Sequence, residues 1–199
     1  TIRGGDGADE LIGGSGDDLV DGNIGADHAD LGSGNDHFQW DPGDGSDVVE
    51  GRSGDDSLDF NGSNAGEKIA VQANGPRALL TRDIAGITMD FDAIEHVNVR
   101  ALGSADTITV GDVGGTDVKS VDVDLNGFGG VGDGAADTVV VQGTSRRDVV
   151  GVTRDGGRVV VDGLAAVTTI VGSEPALDTL RVETLAGDDD VTVAPDVVD

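Results

Sequence analysis

Six aspartates recur in the first third of the chain: Asp9, Asp18, Asp27, Asp36, Asp47 and Asp56, at spacings of 9, 9, 9, 11 and 9. Each ends a glycine-rich stretch, and two residues later comes Leu11, Val20, Ala29, Phe38, Val49 or Leu58. The units read GGDGADELI (4–12), GGSGDDLVD (13–21), GNIGADHAD (22–30), LGSGNDHFQ (31–39), PGDGSDVVE (42–50) and GRSGDDSLD (51–59). A carboxylate is a hard oxygen donor, and a glycine turn aims backbone carbonyls at one point. Oxygens at that density suit Ca²⁺, which takes six to eight of them at about 2.3–2.6 Å. The chemistry written here is cation binding.

Such ligands need turns to hold them and strands to space the turns. Glycine enters the left-handed backbone region without a Cβ clash, and Asn23, which replaces one glycine, is the next most tolerant residue there. The apolar eighth residue reads as the inward position of a short strand. One unit is then turn plus strand, and two units make one coil. Trp40 and Asp41, before Pro42, account for the two-residue slip in the phase. Unit 3, with Asn23 and Ala29, is expected to pack least well. A solvated acidic linker would have no reason to keep a nine-residue phase.

The units resemble the haemolysin-type (RTX) calcium-binding nonapeptide, G-G-x-G-x-D-x-U-x with U a large apolar residue. The resemblance implies a right-handed parallel β-roll in which each Ca²⁺ lies between a turn and the turn two units later. It implies the pairs Asp9–Asp27, Asp18–Asp36, Asp27–Asp47 and Asp36–Asp56, about four internal sites. The turn residues Gly5, Gly7, Gly14, Gly16, Asn23, Gly25, Gly32, Gly34, Gly43, Gly45 and Gly54 complete the implied metal set. Leu31 and Pro42 depart from the leading glycine, and the insertion leaves pairings across 40–41 open.

Composition narrows the partners. The 199 residues carry 39 acids against 12 Lys plus Arg, a formal charge of −27. That charge repels nucleic acid and anionic membrane surfaces, and the apolar runs are too short to span a bilayer. Residues 1–59 hold 16 acids and two basic residues, so the load is densest where the repeats lie. There is no Cys, which excludes disulfides and thiolate metal sites. His28, His37 and His96 lack zinc-type spacing, and the first two occupy outward strand positions. No carboxylate pair stands apart from the turn pattern, so no catalytic centre is expected.

After about residue 62 the chain becomes Val- and Thr-rich. VNVRALGSADTITV (97–110), VVVQGTSRRDVVGV (139–152) and LRVETLAGDDDVTV (180–193) align, placing Asp106, Asp148 and Asp189 at spacings of 42 and 41. KIAVQANGPRALLTRDIAGITMDF (68–91) aligns loosely with DVVGVTRDGGRVVVDGLAAVTTIV (148–171), both reading strand, turn, strand, loop, strand. The period suggests two solenoid coils of about 20 residues per repeat, stacked on the β-roll; a separate antiparallel β-sandwich is the alternative. Two readings stay open for Asp106, Asp148 and Asp189: turn capping, or a calcium ladder. Two also stay open for GGVGDGAAD (129–137), a decayed calcium turn or a loop.

The expectation is an all-β chain: a calcium-binding β-roll over 1–62 continuing into a parallel β-solenoid over 63–199. Because it opens on Thr1 and not on Met, a fragment or processed product is expected. The resemblance implies a secreted or cell-surface protein, exported by a type I route and folded by Ca²⁺ outside. The expected role is a structural scaffold, part of a surface layer, filament or adhesin, self-assembling through solenoid ends or edges. The competing role is an accessory folding module of a larger secreted hydrolase. Trp40 is expected to cover the edge of the roll.

Overall fold

The structure, a computed structural model, describes residues 1–197. In the first third, β1 (Ile2–Asp6), β2 (Glu10–Ile12), β3 (Leu19–Ile24), β4 (His28–Asp30), β5 (His37–Trp40), β6 (Val48–Glu50) and β7 (Ser57–Asn61) follow one another through glycine turns. Then come β8 (Lys68–Asn74), β9 (Arg77–Arg82), β10 (Ile87–Asp92), β11 (His96–Arg100), β12 (Thr107–Val110) and β13 (Ser120–Asp124). The last are β14 (Thr138–Gln142), β15 (Val149–Asp155), β16 (Arg158–Asp162), β17 (Val167–Val171), β18 (Thr179–Glu183) and β19 (Asp190–Val193).

These strands make two sheets, and the chain alternates between them. The first has the order β1-β3-β5-β7-β11-β13-β17-β16-β15-β19, the second β2-β4-β6-β10-β9-β8-β12-β14-β18. Within the nonapeptides every pairing is parallel, with Val20 beside Phe38 and Phe38 beside Leu58 in one sheet, and Leu11, Ala29 and Val49 in line in the other. A coil is therefore two units. The apolar eighth residue of each unit points between the sheets, and none is more than 6% exposed. Ala29 is fully buried like the others. Burying these columns is worth roughly 25 cal/mol per Å² of apolar surface.

Trp40 does not cap an edge. It lies fully inside, stacked on Phe60 with ring centroids 4.2 Å apart. Its indole N–H donates to the Gly45 carbonyl at 2.8 Å. The insertion thus supplies a core aromatic and a short turn, while the coil register on either side is preserved.

Beyond residue 64 the solenoid continues, with one device used twice. From β7 the chain crosses to β8, three places ahead in the second sheet, and fills the gap backwards through β9 and β10. From β14 it does the same in the first sheet with β15, β16 and β17. Among the described residues only β9 and β16 run antiparallel to their neighbours. These meanders are the two segments that align as strand, turn, strand, loop, strand.

The meanders also explain why a 41-residue repeat is not two coils. Residues 139–152 stack on 180–193, since β14 pairs β18 and β15 pairs β19. That step is one coil lengthened by a meander. From 97–110 to 139–152 the chain advances three strands, one and a half coils. Asp106 and Asp148 therefore sit on opposite edges of the solenoid, despite aligning in sequence.

Candidate metal centre

The aspartates that end the nonapeptide turns form two ladders, one on each edge. On the edge where the chain passes from the first sheet to the second, the Asp9 N–H donates to Asp27 Oδ1 at 2.8 Å, and the Asp27 N–H to Asp47 Oδ1 at 2.9 Å. On the opposite edge the Asp18 N–H donates to Asp36 Oδ1 at 2.7 Å, and the Asp36 N–H to Asp56 Oδ1 at 2.8 Å. The four pairings implied by the family resemblance are thus the four nearest-neighbour steps. Those across the Trp40–Asp41 insertion hold as well as the others.

In Asp27, Asp36, Asp47 and Asp56 one carboxylate oxygen, Oδ1, is used by this ladder. The second is not: Oδ2 of Asp9, Asp27, Asp36, Asp47 and Asp56 is buried without a hydrogen-bond partner. An orphaned carboxylate oxygen is costly in a dry site. Carbonyls crowd the same spaces. A Cβ on Gly4 would lie 2.5 Å from the Gly22 carbonyl oxygen and 2.7 Å from Asp9 Oδ2. A Cβ on Gly51 would lie 1.8 Å from the Ala93 carbonyl and 2.8 Å from Asp56 Oδ2. A side chain at the first place would fill a cradle of oxygens.

The other glycines set the backbone. Gly5, Gly14, Gly32 and Gly43 hold φ between 98° and 120°, and Asn23 takes 59° at the same place. Asn23 is fixed there by Asp21, whose Oδ1 accepts from the Asn23 backbone N–H at 3.0 Å. Gly7, Gly16, Gly34 and Gly54 are also left-handed. Gly25 and Gly45 are required by close approach: a Cβ on Gly45 would stand 1.2 Å from the Gly25 carbonyl oxygen, and one on Gly25 1.6 Å from that of Gly7. Arg52, at φ 72°, fills the second place of the last unit and pairs with Asp30 at 2.7 Å.

Packing carboxylates into this stack perturbs them. Burial, then the neighbouring carboxylates, push Asp47 and Asp56 up to about 6, against the backbone N–H that each accepts. Asp27 is raised for the same reasons. Among the described residues no three His, Cys, Asp or Glu side chains converge as a metal cluster. A cation here would draw two carboxylates from adjacent coils and the remainder from backbone carbonyls. That donor set is hard, all-oxygen and irregular, and it fits Ca²⁺ better than Zn²⁺ or Mg²⁺.

Residues 3–38 and 43–64 match the RTX calcium-binding nonapeptide repeat, in four copies. The chain carries RTX calcium-binding repeats. The break between the two matched stretches falls at the Trp40 insertion. No curated protein matches the chain.

The ladders outlast the RTX repeats. The Asp56 N–H donates to Glu95 Oε2 at 2.8 Å. On the other edge the Glu67 N–H donates to Asp106 Oδ1 at 2.7 Å, the Asp106 N–H to Asp137 Oδ1 at 2.8 Å, and the Asp137 N–H to Asp178 Oδ1 at 3.0 Å. Asp148 accepts from the Thr144 N–H and hydroxyl while its own N–H donates to Asp189 Oδ1, so Asp148 caps its own turn. Sequence reading by the 41-residue spacing missed Glu67, Glu95, Asp137 and Asp178. For Asp137 and Asp178 the signal was present in SADTITV, AADTVVV and ALDTLRV, where Asp-Thr opens a strand three times. His28 and His37 point outward, as their unit position implies, and each faces a carboxylate.

Proposed function

We propose that the protein is an extracellular structural scaffold whose RTX repeats fold when they meet calcium. The reading is carried by one observation: five buried Oδ2 atoms along the two nonapeptide ladders lack any partner in the protein. Bound Ca²⁺ would supply the positive charge that these oxygens face. The chain's own part is positional. Glycine turns bring carbonyls of successive coils to the same points, and the Asp N–H bonds hold one carboxylate oxygen so that the other faces the cavity. Without cation, the 16 acids set against two basic residues, together with the raised carboxyls, oppose collapse of the first 59 residues. Binding energy then becomes folding energy, as in small metal-dependent domains. A cytosol poor in Ca²⁺ would keep the chain exportable, and millimolar Ca²⁺ outside would fold it.

Two continuous sheets, built coil on coil, agree with a scaffold role. No helix among the described residues is long and apolar enough to cross a membrane. Circular dichroism during a calcium titration of the whole chain tests the reading. Strand signal should rise with Ca²⁺ and respond weakly to Mg²⁺. The same strand content in chelator and in calcium would overturn it.

A further inference from the structure

Past the RTX repeats the acidic ladder meets two different fates. At Glu67 a protein cation answers it: Arg82 Nε donates to Glu67 Oε1 at 2.9 Å, and both side chains are buried. One coil further on, at Asp106, no basic group does. Asp106 is 2% exposed. Its Oδ1 takes the Glu67 N–H, and its Oδ2 is buried with no partner. That is the condition of the nonapeptide aspartates, reproduced 50 residues after their last member.

A second orphan lies beside it. Asp133 Oδ1 accepts from the Ala135 N–H at 2.8 Å, while Asp133 Oδ2 is buried and unpartnered. Asp133 adds its charge to that of Asp137 against the Asp106 carboxyl, with burial the larger effect. The Leu102 carbonyl points into the same region. It lies 3.5 Å from where a Cβ on Gly127 would stand, and Asp133 Cβ lies 2.9 Å from that point. The 101–106 turn has the nonapeptide backbone without glycine at its two left-handed places: Leu102 and Ser104 take φ of 71° and 80°, four and two residues before the Asp. Side-chain-bearing residues hold such values at a cost, so the turn shape is retained where sequence no longer favours it.

We propose that Asp106 and Asp133, with the Leu102 carbonyl, hold one further divalent cation between the 101–106 turn and the 126–137 loop, outside the RTX repeats. The donors are all oxygen, and the glycine-rich 127–134 stretch can adjust around a large ion, so Ca²⁺ is the ion that fits. Asp133 and Asp106 are two carboxylates against one Ca²⁺. The site is separate from the nonapeptide sites and does not depend on the export role proposed above.

The test counts ions on the whole chain by native mass spectrometry at saturating calcium. D133N should bind one Ca²⁺ fewer than the unsubstituted chain while keeping its strand circular dichroism. Hydrogen exchange on the unsubstituted chain gives a measurement free of any folding defect in the variant. Calcium should slow exchange at 101–106 and 132–137, and D133N should lose that slowing while 4–59 keeps its own. An unchanged ion count in folded D133N would overturn the site. So would amides at 132–137 that ignore calcium at concentrations saturating the nonapeptide turns.

Discussion

Arg82, at the end of a strand that runs backwards through the second sheet, places its guanidinium against the Glu67 carboxylate at the first turn after the RTX repeats. The same guanidinium lies 5.4 Å from the Trp40 ring centroid, within cation–π range. At Glu67 a side-chain cation does what calcium would do in the turns before it. The β8–β9–β10 meander is what brings it there, because β9 pairs Arg82 with Ile69 near the start of β8.

Removing Arg82 should therefore leave a buried, uncompensated carboxylate. R82M is expected to cost about 3–5 kcal/mol in denaturant unfolding at saturating calcium, the usual penalty for breaking a buried pair from one side. The double variant E67Q/R82M should recover most of that loss. If R82M alone unfolds like the parent chain, the pair has no structural weight.

The nonapeptide half was legible because Gly and Asp keep phase, and each phase position has one physical task. Leu11, Val20 and Phe38 read as inward residues and are inward. The second half was legible as strands, and VDVDL alternates in burial as written. Its stacking was not legible. Asp106, Asp148 and Asp189 keep near-equal spacing, yet 42 residues carry three strands in one interval and 41 carry a coil plus a meander in the next. Spacing alone cannot separate these, because a reversed strand consumes residues without advancing the coil. Arg82 and Glu95 were invisible for a related reason: their partners lie 15 and 39 residues away, across topology that no local pattern encodes.

The ladder geometry ranks the aspartates. Asp27 and Asp36 each join two neighbours, and Asp56 does as well, since its N–H continues to Glu95. Asp9 joins only Asp27. D27N, D36N and D56N should each raise the calcium midpoint of folding more than D9N. Calorimetric calcium titration checks this, and equal effects at all four positions would contradict the paired-turn arrangement.

Close approach separates two glycines that look alike in sequence. A Cβ on Gly45 meets the Gly25 carbonyl, whereas one on Gly43 meets nothing within 4 Å and is penalised only by φ of 120°. G45A must spread two coils and should cost about 3 kcal/mol or more. G43A meets open space and is penalised only through its backbone, so it should cost about 1–2 kcal/mol, less than G45A. Thermal unfolding of the two variants of the whole chain, in calcium, would show the difference.

The raised carboxyls give the metal-free chain an inverted pH response. Asp47, Asp56 and Asp137 are pushed up to about 6, and Asp106 to about 7, with burial the first cause of each. A carboxyl that holds its proton more tightly when folded makes the native state bind more protons than the unfolded one. Stability then falls as pH rises. The contribution is full below the unfolded value of 3.8 and is lost as pH passes through about 6 to 7. In chelator the chain should unfold at a higher temperature at pH 4.5 than at pH 7.5. With saturating calcium the order should reverse, since protons then compete with the ion for the same oxygens. A metal-free chain more stable at pH 7.5 would show that these carboxyls are ionised in the fold without a cation.

Calcium removal should not melt the two halves together. The nonapeptide strands are three to six residues long; β2, β3, β4 and β6 each bury one apolar side chain, and pairs appear only at β5 and β7, with Trp40 and Phe60 beside the last repeats. Beyond residue 64 the strands are longer and bury pairs of residues: Ile69 and Val71, Val97 and Val99, Val121 and Val123, Val139 and Val141. More apolar area leaves water per coil there, at roughly 25 cal/mol per Å², and Arg82 and Lys119 answer part of the ladder charge. Hydrogen exchange across a chelator titration should show amides of residues 4–59 opening first. Strand amides of β8, β11, β12 and β14 should remain protected, even where the 101–106 turn between β11 and β12 responds to calcium on its own. Loss of protection in those strands at the calcium concentration that opens the nonapeptide turns would mean one cooperative unit, with the charge of the ladders outweighing the apolar core of the second half.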